Sequence, residues 1–120
     1  MENQRPSEPI LIPQIDVAEA AKRQGEASIL LDVRTLEEYQ AGHAPNSVWI
    51  PLDEIPERFH ELNRERGIVV ICRSGGRSQR AAEFLTAQSY CTLNVAGGMA
   101  AWEAAGLEVT TDTGSPGDVI

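Results

Sequence analysis

Cys72-Arg73-Ser74-Gly75-Gly76-Arg77-Ser78 holds the residue types and spacing for covalent chemistry. It follows the apolar run Ile68-Val69-Val70-Ile71 and precedes a helical pattern from Gln79 to Gln88, so it reads as a strand, a glycine-containing turn and a helix start. A thiol placed there meets backbone N–H groups that converge on an anion, the positive end of a helix, and the charges of Arg73 and Arg77. Each favours thiolate over thiol, which makes Cys72 a nucleophile. Taken alone, a cysteine is as readily a small buried hydrophobe. The Ser-Gly-Gly-Arg-Ser turn behind it selects reactivity.

The elements that must position this loop follow from pattern. Ile10-Leu11-Ile12 reads as a first short strand, and Asp16 with Glu19 caps a helix that runs to Arg23 and ends near Gly25. Ser28 to Val33 is a continuous apolar strand buried on both faces, closed by a carboxylate at Asp32. Thr35 and Glu38 form a capping box for a short helix through Gln40, which Gly42 ends. Val48-Trp49-Ile50 is a third strand. Leu52, Ile55, Phe59 and Leu62 recur at helical spacing, with Pro56 in a first turn. Ile68 to Ile71 is the fourth strand and Leu93-Asn94-Val95 the fifth. Gly97-Gly98 turns the chain into a last helix carrying Met99 and Trp102, terminated by Gly106. Strand and helix alternate with crossovers of this length in a parallel α/β sheet covered by helices on both faces. Ligands of such sheets bind beyond the carboxyl ends of the strands, where Cys72 and Asp32 fall.

A chain of 120 residues with 42% hydrophobic and 23% charged residues is one globular domain. A net charge of −8 argues against nucleic acid or an anionic membrane as partner. Three of the ten basic side chains nevertheless lie between Arg73 and Arg80, a local positive focus suited to small anions. No apolar run is long enough to cross a membrane, and the polar start lacks the pattern of a secretory signal, so the expected compartment is the cytoplasm. Two cysteines, Cys72 and Cys91, make neither a disulfide framework nor a C-x-x-C pair, and two histidines give no zinc spacing, so no metal is expected. Residues 1–8 and 108–120 read as flexible tails.

Among the remaining polar residues, Asp32 either pairs with an arginine at the strand end or orients the loop by accepting its N–H groups. Arg34 is expected to pair with Glu38 or Glu37. His43 stabilises the bend of Gly42-His43-Ala44-Pro45 rather than acting as a base. Trp49 and Trp102 read as core, and Cys91 as structural, with a resolving thiol as its alternative role. Arg73 either lines the pocket or lies in solvent.

Leu31-Asp32-Val33-Arg34, Glu38-Tyr39, Gly42 to Ser47, Ile50-Pro51, the Cys72 to Ser78 loop, and Gly97-Gly98 with Trp102 occur in one order. That ordered set, over roughly residues 10–107, resembles the single-domain rhodaneses, sulfurtransferases of the thiosulfate type. The resemblance implies a three-layer rhodanese-like fold with a five-stranded parallel sheet and a domain over residues 9–107. It implies Cys72 as a persulfide carrier, a substrate loop of Arg73, Ser74, Gly75, Gly76, Arg77 and Ser78, and supporting roles for Asp32, Arg34 and His43. No cofactor is implied. The partners it implies are a small anionic sulfur donor and a thiol, cyanide or protein acceptor. Within the loop, Arg77 is expected to stabilise departing sulfite, and Ser78 to bond the sulfur or cap the following helix.

Phosphatases and arsenate reductases built on the same fold resemble a Cys-x5-Arg pattern. Here Arg77 follows Cys72 after four residues, and Ser78 occupies the position of the phosphate-clamping arginine. The shorter loop suits a sulfur atom better than a whole phosphate. A non-catalytic sulfur-carrier or binding module is the third alternative.

Overall fold

The computed structural model describes residues 11–120. The tail expected over residues 1–8, and Ile10 of the expected first strand, lie outside the described residues. Five parallel strands form one sheet in the order β1-β5-β4-β2-β3: β1 (Gln14–Ile15), β2 (Ile29–Asp32), β3 (Val48–Trp49), β4 (Ile68–Ile71) and β5 (Thr92–Val95). Between and after them come α1 (Val17–Glu26), α2 (Leu36–Ala41), α3 (Ile55–Arg58), α4 (Gly76–Ala87) and α5 (Gly98–Ala104). Tight 3-10 turns at Leu52–Glu54 and Phe59–Glu61 flank α3, so the expected helix through Leu62 is a broken one.

The central strands β2 and β4 are buried at every position, as a sheet covered on both faces requires. Alternation sorts their side chains into two cores. Ile29, Leu31, Ile68 and Val70 meet Ile55, Ala81, Ala82 and Leu85 of α3 and α4. Leu30, Val69 and Ile71 meet Val17, Ala20, Met99 and Trp102 of α1 and α5. Each fully buried side chain of this size contributes about 1.5–3 kcal/mol. The register Leu31↔Val70 and Val70↔Asn94 places the carboxyl ends of β2, β4 and β5 along one edge.

The first strand, at Gln14–Ile15, lies three to four residues later than the run Ile10-Leu11-Ile12 implies. Leu11 is 85% exposed, and pairing begins when the Pro13 carbonyl accepts the Asn94 N–H at 3.0 Å. The helix caps are as expected: the Asp16 side chain accepts from the Glu19 N–H, and the Thr35/Glu38 capping box is complete.

The segment from 108 onward is bound to the body where fraying was expected. His43 and Thr110 exchange backbone hydrogen bonds at 2.9 and 2.8 Å, the Asp118 N–H donates to the Ala41 carbonyl at 2.9 Å, and Trp102 Nε1 donates to the Glu108 carbonyl at 2.8 Å. Val109 and Val119 pack on the second core. Apolar residues so sparse leave no periodicity to read. The segment also accounts for Gly42, whose backbone is extended rather than left-handed. A Cβ there would stand 2.6 Å from the Asp118 backbone, so glycine is required by the passing chain and not by the helix end. Among the described residues, no helix is long and apolar enough to cross a membrane.

Candidate active site

Strand β4 delivers Cys72 to the carboxyl edge of the sheet, 1% exposed. The loop after it keeps its carbonyls and its N–H groups apart. The first turn of α5 has N–H groups without helical acceptors, and two of them take the loop carbonyls: Met99 N–H donates to Cys72 O at 2.8 Å and Ala100 N–H to Arg73 O at 3.0 Å. This contact is why Gly98 lacks a side chain. Its φ is +57°, and a Cβ would lie 2.5 Å from both of those carbonyl oxygens. With the carbonyls held on α5, the N–H groups face the sulfur.

The Gly75 N–H points at Cys72 Sγ at 3.1 Å, and the Ser78 hydroxyl lies 3.3 Å from it. Gly75, at φ +114°, caps α4 in a conformation that disfavours any side chain. Gly76 is different, since a Cβ there would meet nothing within 4 Å. Burial pushes the Cys72 thiol up. The Ser78 hydroxyl, then the N–H groups of Ser78, Gly75 and Ser74, outweigh it, and the pKa lies below that of an ordinary thiol. Oriented dipoles at the head of α4 thus favour the thiolate form.

Arg77 is the residue expected to stabilise departing sulfite. It forms a two-pronged pair with Glu38, Nη1 to Oε1 at 2.7 Å and Nη2 to Oε2 at 2.8 Å. Those bonds hold the Glu38 carboxyl at about 2, against the opposing effect of burial and with help from Thr35. The guanidinium is therefore a bound cation at the rim, near enough for the Cys72 charge to raise its pKa after Glu38 and against burial. Arg73 turns away, its Nε donating to the Ile120 carbonyl at 2.9 Å. Ser74 is exposed and contributes its N–H. Ser78 lies in the first turn of α4 and caps nothing. Gly75 holds the cap position, and Ser78 is fully buried against the sulfur.

Of the supporting residues, Arg34 differs from expectation, while Asp32 takes the first of its two expected roles. Arg34 pairs with Asp32, not with Glu37 or Glu38: Nη2–Oδ2 is 2.7 Å, Nε reaches both carboxylate oxygens at 3.0 and 3.1 Å, and neither side chain is exposed. Arg34 Nη2 continues to the Gly42 carbonyl at 2.8 Å, which ties β2 to the end of α2. Asp32 accepts from this arginine and from the Arg34 N–H, and it does not bond the Cys72 loop. His43 holds the bend as expected, with Nδ1 2.8 Å from the Tyr39 carbonyl and its ring stacked on Tyr39 at 3.9 Å. Trp49 is only partly buried, bonding the Arg34 carbonyl at 2.8 Å. Cys91 is exposed. Ile68 registers with Thr92, so Cys91 sits at the amino edge of the sheet, about 17 Å of strand rise from the level of Cys72. It cannot resolve a Cys72 persulfide within one molecule.

The sequence did not expose Asn94, a 2% exposed polar residue whose Oδ1 accepts the Ser78 hydroxyl at 2.5 Å. Its Nδ2 donates to Gly75 O at 3.2 Å and to Gln14 Oε1 at 2.7 Å. The available signal was a polar side chain between Leu93 and Val95 in a buried strand. Beside the loop runs a groove of about 480 Å³, floored by Val33, Leu52, Ile55, Ala81 and Phe84 and bordered by Arg77.

Residues 16–105 match the model of the rhodanese-like domain. A sulfurtransferase of Allochromatium vinosum is 34% identical over 107 residues, covering 87% of this chain and all of that one. The YtwF protein of Bacillus subtilis is 44% identical over 78 residues, 65% of this chain and 76% of its own. Among solved structures, the rhodanese-related protein of Thermoplasma volcanium superposes with a TM-score of 0.79 at 33% identity, covering 83% of this chain and 99% of that one.

Proposed function

The chain belongs to the rhodanese-like domain family, and from that premise we propose that it is a sulfurtransferase that carries sulfane sulfur as a persulfide on Cys72. The observation that carries this reading is the convergence of the Gly75 N–H and the Ser78 hydroxyl on Cys72 Sγ, which lowers the thiol's pKa. Thiosulfate is the proposed donor. The Cys72 thiolate attacks its outer sulfur, an Sγ–S bond forms, the bond to the sulfonate sulfur breaks, and sulfite leaves with the electron pair. An acceptor, cyanide or a thiolate, then attacks the terminal sulfur. The persulfide bond breaks and Cys72 departs as thiolate, restoring the resting state.

Preorganised donors serve both half-reactions, because the sulfur is anionic before the first and after the second. Arg77 contributes as the Glu38-bound cation at the rim rather than as a free clamp. The groove along α4 offers room for the body of an acceptor larger than cyanide. We place the reaction in the cytoplasm.

Incubation with thiosulfate and cyanide tests the reading. Thiocyanate should form with wild type and not with Cys72→Ser. Undiminished product from the variant, or turnover of an aryl phosphate in place of thiosulfate, would overturn it.

A further inference from the structure

We infer that Asn94 is a positioning residue that gives the Ser78 hydroxyl a second resting place, so that its single proton turns toward Cys72 when the sulfur is anionic and toward Asn94 when it is neutral. The inference rests on the sulfur-carrier reading, because in that cycle Cys72 alternates between thiolate and a neutral, bonded sulfur.

The geometry fixes the two positions. Ser78 Oγ is 3.3 Å from Cys72 Sγ and 2.5 Å from Asn94 Oδ1, yet a hydroxyl carries one proton. Which end of the Asn94 amide faces Ser78 is set by the other end, since Nδ2 must donate to the Gly75 carbonyl at 3.2 Å and to Gln14 Oε1 at 2.7 Å. Gln14 is held in turn, because its Nε2 donates to the Ile12 carbonyl at 3.0 Å and to Gln79 Oε1 at 2.7 Å. The acceptor is therefore fixed, and only the hydroxyl proton moves. A thiolate, a full negative charge, outcompetes an amide oxygen for it. Once the sulfur is a thiol or the inner atom of a persulfide, that advantage is gone. The buried donor would be unsatisfied without Asn94 Oδ1.

Of the charged groups near the sulfur, Arg77 on α4 is paired with Glu38 of α2, Asp32 at the end of β2 is paired with Arg34, and Arg73 bonds Ile120. None of them is bonded to Ser78 or to Asn94. The exchange is confined to three side chains.

The consequence is a balance. Asn94 stabilises the neutral sulfur, so it sets the Cys72 pKa higher than Ser78 alone would, while keeping the loaded state accessible.

The test is the pH of half-maximal Cys72 alkylation by iodoacetamide, in a Cys91→Ser background. It needs no turnover, so it stands even if the protein transfers no sulfur from thiosulfate. Asn94→Leu removes the acceptor and should lower the midpoint by roughly one pH unit, the scale of a buried donor left unsatisfied in the neutral state. The same change made with Ser78→Ala should leave the midpoint of that variant unmoved. Asn94→Asp, close to isosteric, should raise the midpoint by about a unit or more, because a carboxylate holds the hydroxyl and repels the thiolate. No shift with Asn94→Leu, an equal shift with and without the Ser78 hydroxyl, or a midpoint that Asn94→Asp leaves in place or lowers would overturn the inference.

Discussion

Replacing Glu38 by glutamine isolates the latch between α2 and α4. Glu38 accepts both Arg77 bonds, at 2.7 and 2.8 Å, and also the Thr35 N–H and hydroxyl, each at 3.0 Å. Its carboxyl drops from an ordinary 4.5 to about 2, chiefly through Arg77. At full strength that displacement corresponds to about 3 kcal/mol. Arg77 is 33% exposed, so water screens the pair, and glutamine keeps part of the Thr35 cap. We therefore expect Glu38→Gln to lose about 1–2 kcal/mol at pH 7, a shift of roughly 1 M in the urea midpoint. The sign with pH follows from the lowered value. The native state resists protonation, so the contribution is whole above 4.5 and declines as pH falls toward 2. Near pH 3, about two-fifths should remain. Urea unfolding of both proteins at pH 7, 4 and 3 reads the difference directly and cancels the other carboxylates. Equal midpoints at pH 7, or a difference that does not shrink between pH 7 and pH 3, would show that the Glu38–Arg77 ion pair does not stabilise the fold.

Gly98→Ala should cost about 3 kcal/mol in thermal unfolding and slow Cys72 alkylation, because its methyl meets the Cys72 and Arg73 carbonyls at 2.5 Å in a left-handed backbone. An alkylation rate equal to wild type would show that the loop does not depend on that contact. Asp32→Asn leaves the buried Arg34 charge uncompensated and should cost about 3–5 kcal/mol by urea unfolding, whereas a loss below 1 kcal/mol would mean the pair is hydrated. Cys91→Ser should leave sulfur loading at one atom per chain, since Cys91 is exposed at the opposite edge of the sheet, and loading that fell by half would implicate it.

What was legible in the sequence was local. The runs Ile29–Asp32 and Ile68–Ile71 announce buried parallel strands by composition alone, and the Thr35/Glu38 box lies within four residues. Cys72 was legible because its donors, Gly75 and Ser78, are its chain neighbours. What escaped was the choice between equivalent partners, near and far along the chain. Arg34 had Glu37 and Glu38 within one turn, yet its buried position left Asp32, two residues back, as the carboxylate in reach. Arg77 found Glu38 across 39 residues of chain, and Asn94 reaches Ser78 across 16. The segment after Glu108 escaped because its anchors are backbone bonds to Ala41 and His43, to which side-chain patterns give no clue.

Cys72, held by the loop N–H groups and Ser78, is proposed to carry the transferred sulfur. Intact mass after incubation with thiosulfate and removal of the excess tests it most directly. One added sulfur per chain is expected, absent in Cys72→Ser and released by a thiol reductant or by cyanide. An unchanged mass, or an added sulfur that persists in Cys72→Ser, would contradict it.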